Sequence, residues 1–433
     1  MNRLYYALPL VLLSCTEPPE VTEHVSPYSF EGELVACNPK SDFTSLTPLL
    51  TGGKINPTGR GEHAAAYDPC HNRIVLFGGN DFQPEQCATY GPKRFKEDTW
   101  AYSPSHQNYI RLVTEQSPPP RGRAHMTTDL SRKKMYLYGG RYRAEGTTGT
   151  YTVYEDLWEF DLNTDRWREL SPSGEKPGPL TNSGVVYDQL GDQLVIFGGN
   201  TTGDAMNFAS HNDTFILDLK SLIWTRLETP SPTERLFHSM VYSVNDNAVF
   251  IYGGATDTDA WQGPFHGDLW KLDLQTLTWS EINPQSSLRP DARISARLVA
   301  DSTNNRLVLI GGHDDTRVGN RNDVWAFGLR DSTWTLLHPG DSGAGENCSA
   351  FCDCPPNFVQ TNPNVPERRH YHSAQHLPGQ EWIAVFGGKS DCGYLDDTWY
   401  WDLGADVWLE INPASQGEAC MRSGRDNCTD LCY

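Results

Sequence analysis

Basic residues are scarce in this sequence, which carries 35 Lys and Arg against 55 Asp and Glu and so has a net charge of −20 at pH 7. This balance disfavours a protein that binds nucleic-acid phosphates or anionic lipid headgroups. Long hydrophobic runs are also missing. The longest, Leu4 to Leu13, would cover about 15 Å as a helix, which is half of a hydrocarbon core. No segment is therefore predicted to span a membrane.

Aromatic residues and turn-forming residues, by contrast, are plentiful. The 13 Trp, 19 Tyr and 16 Phe, within a hydrophobic fraction of 38%, are ample for a packed interior and exclude global disorder. The 38 Gly and 29 Pro indicate many turns. This mixture is typical of an all-β chain.

The N-terminal residues read as an export signal, since Arg3 precedes the apolar run. The end of the run, Leu-Leu-Ser14-Cys15, resembles the lipobox of bacterial lipoproteins. The resemblance implies a signal peptide over 1–14, acylation of Cys15 and a flexible tether over 15–36. The protein would then be held in the bacterial cell envelope, at the outer membrane or cell surface, by its lipid alone. The alternatives are an ordinary signal peptide with a chance Cys, or a buried helix.

Six segments of the chain repeat the same order of signals. Each has an apolar run that ends in a Gly pair, whose second members are Gly79, Gly140, Gly199, Gly254, Gly312 and Gly388. A strand-like run precedes each pair, often opened by Arg and His, as in Arg60…His63. After each pair comes an Asp that precedes an aromatic strand, as in Asp98-Thr-Trp100. A closing strand with an aromatic residue, as at Tyr109, ends the unit. A period of roughly 55–60 residues with four short strands is typical of a β-propeller.

The repeat resembles the kelch motif over residues 60 to 411. The resemblance implies an all-β, six-bladed propeller over 60–412, with four antiparallel strands per blade, labelled A to D from the axis outward. Residues 37–59 would form an N-terminal strand and lead-in, with a Cys-rich insertion at 338–367 and a Cys-rich tail at 413–433. A strand at 43–46 or the strand at 408–411 completes blade 6, and the sequence leaves both open.

The cysteine count fits an exported protein. Without Cys15, ten of the 11 Cys remain, enough for up to five disulfides. By strand direction, the A–B turn of blade 1 and the start of the N-terminal strand share one face of the ring, which predicts a Cys37–Cys70 pair. A zinc site at Cys348-x3-Cys352-x-Cys354 is the alternative, but no His lies at ligand spacing, so no metal is predicted. The other disulfide candidates are Cys87, Cys392, Cys420, Cys428 and Cys432.

In kelch proteins that bind partners, the B–C and D–A loops around the axis form the contact face. Transferred by position, this resemblance predicts a ligand-binding face made of three groups. The groups are the residues after each Gly pair, the residues that open the A strands, and one aromatic residue of a loop. They are Asn80, Arg141, Asn200, Thr256, His313 and Lys389; Arg60, Arg123, Arg235, Arg293 and Arg369; and Trp261. The basic and amide groups suit a carboxylate, a sugar or an acidic peptide. Because they recur blade after blade, they could instead bond loop carbonyls and the C-strand Asp residues.

The catalytic signatures of other propellers are missing from the sequence. It has no Asp-box, no Glu-x3-Asp-x3-His iron motif, and no Cys on a blade strand for an oxidase-type crosslink. We therefore predict a monomeric module that binds a protein or glycan, without a cofactor, rather than an enzyme. A kelch-type carbohydrate-active enzyme, either a sugar epimerase or an oxidase-like protein, is the alternative.

Overall fold

In the described part of the chain the strands form six sheets of four or five strands and one two-stranded sheet, and no helix occurs there that could cross a membrane. These residues belong to the unit Leu34–Tyr433. The prediction of an all-β, six-bladed propeller is confirmed. The structure, a computed structural model, describes residues 56–81, 94–144, 149–204, 207–257, 260, 263–314, 319–341, 362, 364–390 and 393–414.

The first three blades each contain four antiparallel strands in the order A-B-C-D. Blade 1 has β1 (Ala64–Asp68), β2 (Arg73–Phe77), β3 (Thr99–Ser103) and β4 (Asn108–Leu112). Blade 2 has β5 (His125–Asp129), β6 (Lys134–Tyr138), the small B–C hairpin β7 (Arg141–Tyr142) and β8 (Thr152–Val153), then β9 (Leu157–Asp161) and β10 (Arg166–Leu170). Blade 3 has an added outer strand β11 (Ser173–Gly174), then β12 (Gly184–Asp188), β13 (Gln193–Phe197), β14 (Thr214–Asp218) and β15 (Ile223–Arg226).

The last three blades repeat this plan with longer B and C strands in blades 5 and 6. Blade 4 has β16 (Ser239–Ser243), β17 (Ala248–Tyr252), β18 (Leu269–Asp273) and β19 (Thr278–Ile282). Blade 5 has β20 (Arg297–Asp301), β21 (Arg306–Asp314), β22 (Gly319–Gly328) and β23 (Thr333–His338). Blade 6 has β24 (Arg369–His370), β25 (Ser373–Leu377), β26 (Trp382–Ser390), β27 (Gly393–Asp402) and β28 (Val407–Asn412).

The structure adds two details of the ring to those predicted from the sequence. Among the described residues the outermost strand of blade 6 is β28, which pairs with β27, whereas the alternative strand at 43–46 lies outside those residues. In blades 5 and 6 the segments expected to be B–C loops are largely strand, because β21 and β26 continue past the Gly pair through a bulge. Neighbouring A strands pack around the axis, including β25 against β1.

Hydrophobic clusters between neighbouring blades hold the ring together. In each of them the aromatic residues of the C and D strands meet side chains of the preceding blade. Trp167 of blade 2, for example, lies 5.2 Å from the Phe77 ring and donates to Thr99 Oγ1 at 2.9 Å. Tyr109 of blade 1 makes the same kind of contact with Phe386 of blade 6. Burial of each such side chain contributes about 1.5–3 kcal/mol.

The Gly pair lies where each blade comes closest to the next. Gly139 has φ +66°, and a Cβ there would overlap the Leu180 carbonyl oxygen of blade 3. The amide of the second glycine, Gly140, donates to that same oxygen at 2.8 Å. The equivalent bond from Gly388 to Arg60 O, at 2.9 Å, joins blade 6 to blade 1. Glycine is required both for its backbone conformation and because no side chain fits.

Several predicted features lie outside the described residues. These are the signal peptide, Cys15 and its tether, the strand at 43–46, Trp261, most of the Cys-rich insertion, and every disulfide candidate other than Cys70. Cys70 is buried in the A–B turn of blade 1, as expected, and takes part in a disulfide. Its pairing with Cys37 stays a prediction.

Replacing Gly139 with alanine is expected to cost more stability than replacing Gly178. Both residues have positive φ, +66° and +77°, so alanine at either position carries a backbone strain of about 1–2 kcal/mol. Nothing lies within 4 Å of a Cβ built at Gly178, whereas at Gly139 the next blade must move. We expect G139A to lower the free energy of unfolding in urea by about 2 kcal/mol more than G178A. Equal losses would contradict the close approach of the blades.

Candidate functional site

A buried arginine at the entrance of five blades bonds to the Asp two positions before the tryptophan of the C strand. In blade 5, Arg293 Nη1 and Nη2 donate to Asp323 Oδ1 and Oδ2 at 2.6 and 2.8 Å, and Nη1 also donates to Gly311 O at 3.0 Å. Trp325 Nε1 donates to the same carboxylate at 2.8 Å. We call this arrangement the Arg–Asp clamp. Its arginines are Arg60, Arg121, Arg235, Arg293 and Arg369.

The clamp gives these arginines a structural role. Burial raises the pKa of the Asp323 carboxyl, but the charge and hydrogen bonds of Arg293 outweigh that effect and hold the pKa below its ordinary value. Both Nη nitrogens of each guanidinium donate to this carboxylate, and in Arg293 the third nitrogen, Nε, donates to Asp291 O at 2.9 Å. Arg60, Arg235, Arg293 and Arg369 are therefore assigned to blade architecture, the alternative that the repetition had left open.

The register of the repeat differs from the sequence interpretation in blades 2 and 4. In blade 2 the clamp arginine is Arg121, so Arg123 lies two positions further on. In blade 4 the residue that bridges to the lead-in of the blade is Ala255, which pairs with Leu236, and not Thr256. Blade 3 has the buried Leu180 in place of a clamp arginine.

Five of the predicted residues after the Gly pairs, with Ala255 in place of Thr256, come together around the axis on the B–C and D–A side. Each forms a β-bridge with the residue that follows the clamp position of its own blade. We call this the axial mouth. The residues brought together are Asn80, Arg141, Asn200, Ala255, His313 and Lys389.

A second ring lines the mouth on its inner side, two positions after the clamp. All six of its members have positive φ: Glu62, Arg123, Asn182, Phe237, Ser295 and Tyr371. Backbone hydrogen bonds join them from blade to blade, for example Arg123 N to Glu62 O at 2.7 Å and Ser295 N to Phe237 O at 2.8 Å. Left-handed backbone at non-glycine residues is costly, and it clusters at functional sites.

Glu62 is the centre of the polar contacts at the mouth. It is buried, and its Oε1 accepts from Arg123 Nε at 2.7 Å while its Oε2 accepts from Asn80 Nδ2 at 2.8 Å. Arg141 Nη2 approaches Oε1 only to 3.4 Å. Arg123 also donates to Tyr371 Oη at 2.9 Å. One carboxylate is thus shared by two buried guanidiniums.

Arg141 contacts the Glu62 carboxylate less closely than Arg123 does. Its guanidinium lies 4.0 Å from the centre of the Tyr151 ring, and its buried Nε has no hydrogen-bond partner among the described residues. Burial, followed by the charge of Arg123, lowers the pKa of Arg141. The site therefore holds a desolvated cation that is only partly neutralised.

The remaining predicted residues have local partners or lie near the rim. His313 Nδ1 contacts Asn320 Oδ1 at 2.8 Å, and His370 Nδ1 contacts the same oxygen. Because that oxygen only accepts, both rings carry their proton on Nδ1. Asn200 organises its own loop by accepting from Ala209 N at 2.8 Å. Lys389 is half-buried and pairs with His370 across the β24–β26 hairpin.

Sequence reasoning missed Glu62 and Tyr371. The signal appears once the six copies are aligned on the clamp position found in the structure, because a different residue type then stands at this position in every blade. A position at which the residue type varies within an otherwise regular repeat is not constrained by the packing of the blades. No group of three His, Cys, Asp or Glu side chains within the described ranges is placed to hold a metal ion.

The fold and the repeated clamp define a six-bladed β-propeller of the kelch class. The chain belongs to that family: the KLHDC2/KLHL20/DRC7 Kelch-repeats domain model matches residues 33–229 and 145–352. Kelch domain-containing protein 10 of Mus musculus is 22% identical over 80% of this chain and 73% of its own. Mei4-dependent protein 6 of Schizosaccharomyces pombe is 25% identical over 74% of this chain and 46% of its own. Kelch domain-containing protein 3 of Rattus norvegicus is 28% identical over 50% and 54%.

Three histidines pack against the Gly pair of the preceding blade rather than facing a ligand. His63, His238 and His372 are buried, and the ring nitrogens have no partner among the described residues. The His63 ring lies 5.2 Å from Phe386, and the His238 ring lies 5.4 Å from Phe197. Burial first, and then nearby arginines, holds the pKa of all three well below 6.5.

These histidines make the fold sensitive to mild acid. They stay neutral in the folded chain, whereas in the unfolded chain they take up protons as the pH falls below 6.5, so stability is complete above that pH and lost below it. Each histidine contributes up to about 1.4 kcal/mol of lost stability per pH unit. We expect H238Q to reduce the slope of unfolding free energy against pH, measured with urea between pH 6 and 5, by about that amount. Between pH 7 and 8 the two slopes should coincide, and an unchanged slope below pH 6 would contradict the assignment.

Proposed function

We propose that this kelch propeller, an architecture of protein-interaction modules, captures a protein partner at its axial mouth, and that it does so outside the cytoplasm while held to a membrane by a lipid on Cys15. The partner presents a carboxylate to the mouth. The observation that carries the proposal is the incomplete neutralisation of Arg141.

The geometry of the mouth supports an acidic partner. Glu62 accepts short hydrogen bonds from Arg123 and Asn80, and Arg141 is left at 3.4 Å with its Nε unpartnered in the described structure. A carboxylate from outside would bond to this guanidinium through two nitrogens without disturbing the Glu62–Arg123 pair. Desolvated arginines beside aromatic rings are the kind of group that dominates binding energy at interfaces.

An apolar cluster lies beneath the mouth. It contains Phe208, Phe237, Ala260, Ile294 and Tyr371, all of them buried, so it supports the ring of the mouth from below. A sugar remains a prediction from the sequence, since Trp261, the loop aromatic of the predicted face, lies outside the described residues.

The membrane anchor rests on the sequence alone. The apolar run that ends in Ser14-Cys15 and the acidic, Pro-rich stretch behind it support acylation and a solvated tether. The pairing of the cysteines into disulfides, with Cys70 as one member, belongs to the same proposal, because such bonds persist in oxidising compartments.

No observation in the described part of the chain favours the enzyme alternative. No Asp or Glu lines the larger axial cavity, and the one carboxylate of the smaller cavity, Glu62, is bonded to Arg123. An epimerase would need acid and base groups that face a substrate. We therefore propose binding and not catalysis.

Replacing Arg141 with glutamine is expected to abolish partner capture. The soluble domain starting near Ser26 is immobilised and exposed to envelope extract, and bound proteins are identified by mass spectrometry. We expect R141Q to retain less than about a tenth of the species held by the wild type, since a buried charged pair that loses one member costs 2–5 kcal/mol. The thermal unfolding temperature should fall only slightly, because the Arg141 side chain contributes one long hydrogen bond to Glu62 and a contact with the Tyr151 ring, while the Glu62–Arg123 pair stays intact.

Arg168→Gln is the matched control for this experiment. Arg168 lies on the outer strand β10 of the same blade and is 68% exposed. It carries the same charge, so R168Q should capture the partner as the wild type does. Equal capture by R141Q would refute the assignment of the mouth, and equal loss in both variants would show that capture depends only on net charge.

The lipid anchor is tested at Cys15. In a bacterial host fed a radiolabelled fatty acid, the wild-type chain should carry label and fractionate with membranes, whereas C15S should carry none and appear in the soluble fraction. Label on C15S, or an unlabelled wild-type chain, would refute the anchor without affecting the binding proposal.

A further inference from the structure

The propeller axis contains a cavity of about 340 Å³ on the side away from the mouth. It is lined by the six A strands and extends to the A–B turns, where Tyr67, Gln189, Tyr242 and His376 line it and are partly exposed. A smaller cavity of about 30 Å³ lies between it and the ring of Glu62 and Tyr371. The larger cavity is of a size that small-molecule sites commonly have.

Two side chains interrupt the regular lining of this cavity. Aligned on the clamp, the first residue of the A strand is Ala64, Gly184, Ser239 or Ser373 in four blades. In the other two it is His125 and Arg297, and both line the large and the small cavity. Blades 2 and 5 face each other across a six-bladed ring. The two large polar side chains therefore enter the channel from opposite sides.

Arg297 is positioned but not neutralised. Its Nε donates to His372 O at 2.6 Å, which fixes the plane of the guanidinium. Within the described ranges, neither Nη atom has a hydrogen bond and no carboxylate forms an ion pair with the side chain. Burial lowers the pKa of Arg297 to about 10, so it remains charged at neutral pH.

The large cavity beside Arg297 offers no counter-charge among the described residues, and the carboxylate of the small cavity, Glu62, is bonded to Arg123. Among the residues that line the large cavity there is no Asp or Glu, although the chain as a whole has a net charge of −20. Burial, and after it the charge of Arg297, lowers the pKa of His125 to about 3, so this ring is neutral and offers hydrogen bonds without charge. An isolated buried cation is costly unless an anion accompanies it.

We propose that the axial channel is a binding site for a small organic monocarboxylate, held by the two Nη atoms of Arg297 with the His125 ring opposite. The ligand enters from the A–B turn face, which is the face opposite the proposed partner site. The site goes beyond the proposed function and does not depend on it.

Charge and lining favour a monocarboxylate over phosphate. One guanidinium neutralises one negative charge, and a planar carboxylate matches its two Nη donors. A phosphate dianion would leave a second charge uncompensated in the channel. Below Arg297 the wall combines apolar side chains such as Met126, Val186 and Met240 with the hydroxyl of Thr127, which suits a short carbon body.

The test uses the folded chain with ¹⁵N-labelled arginine, titrated with sodium propionate and, separately, with sodium phosphate at pH 7. We expect one saturable shift among the arginine side-chain signals with propionate, assigned to Arg297 by its loss in R297Q. Affinity measured by calorimetry should fall at least tenfold in R297Q and less in R297K, which keeps the charge without the planar fork.

Arg289→Gln is the control, since this exposed arginine lies on the lead-in to the same blade and carries the same charge. R289Q should bind propionate as the wild type does. If R297Q does not fold, R297K supplies the comparison. The proposal is overturned if propionate gives no saturable shift up to 50 mM, if R297Q and R297K bind as tightly as the wild type, or if phosphate binds as tightly as propionate. Capture of the partner at the mouth should be unchanged in R297K.

Discussion

The Arg–Asp clamp is the interaction on which the rest of this propeller depends. Because a planar guanidinium bonds both carboxylate oxygens and a Gly carbonyl, it fixes in one place the end of the B strand, the start of the C strand and the entrance of the A strand. Blade 3 shows what happens without it. There Leu180 is buried at the arginine position, and Asp213 bonds instead to Arg226 on the outer strand. The entrance is then held by packing and by backbone hydrogen bonds, such as Leu180 N to Tyr154 O at 3.0 Å.

The clamp also explains why the two faces of the ring differ. It anchors the lead-in just before the chain reaches the axis, so the next two residues project into the mouth with their backbone held by the neighbouring blade. Glu62 and Arg123 occupy that position in blades 1 and 2 and bond directly to each other. The repeat thus fixes the backbone at this position but leaves the residue type free to differ from blade to blade.

The fold could be predicted from the sequence because its determinants recur. Six Gly pairs, six Asp–aromatic steps and six closing aromatics fix the blade number and the strand order. The exact register could not be predicted. Arg121 and Arg123 both precede His125 in blade 2, and only the bond to Asp156 shows that Arg121 is the clamp residue. The site was harder still, because its residues differ from blade to blade. Glu62 and Arg297 become visible only once the copies are aligned by a contact that the structure supplies.

Each blade is made from one uninterrupted stretch of chain, with β28 closing the sixth sheet and β4 the first. The seam between the last and first blades is therefore joined by the same kinds of contact as every other seam, namely the Gly388–Arg60 bond and the packing around Phe386. Among the described residues, no contact distinguishes this junction from the others. A gene rearranged to begin at a different inter-blade connection would encode the same ring, so the order of the blades along the chain is a matter of ancestry rather than of mechanics.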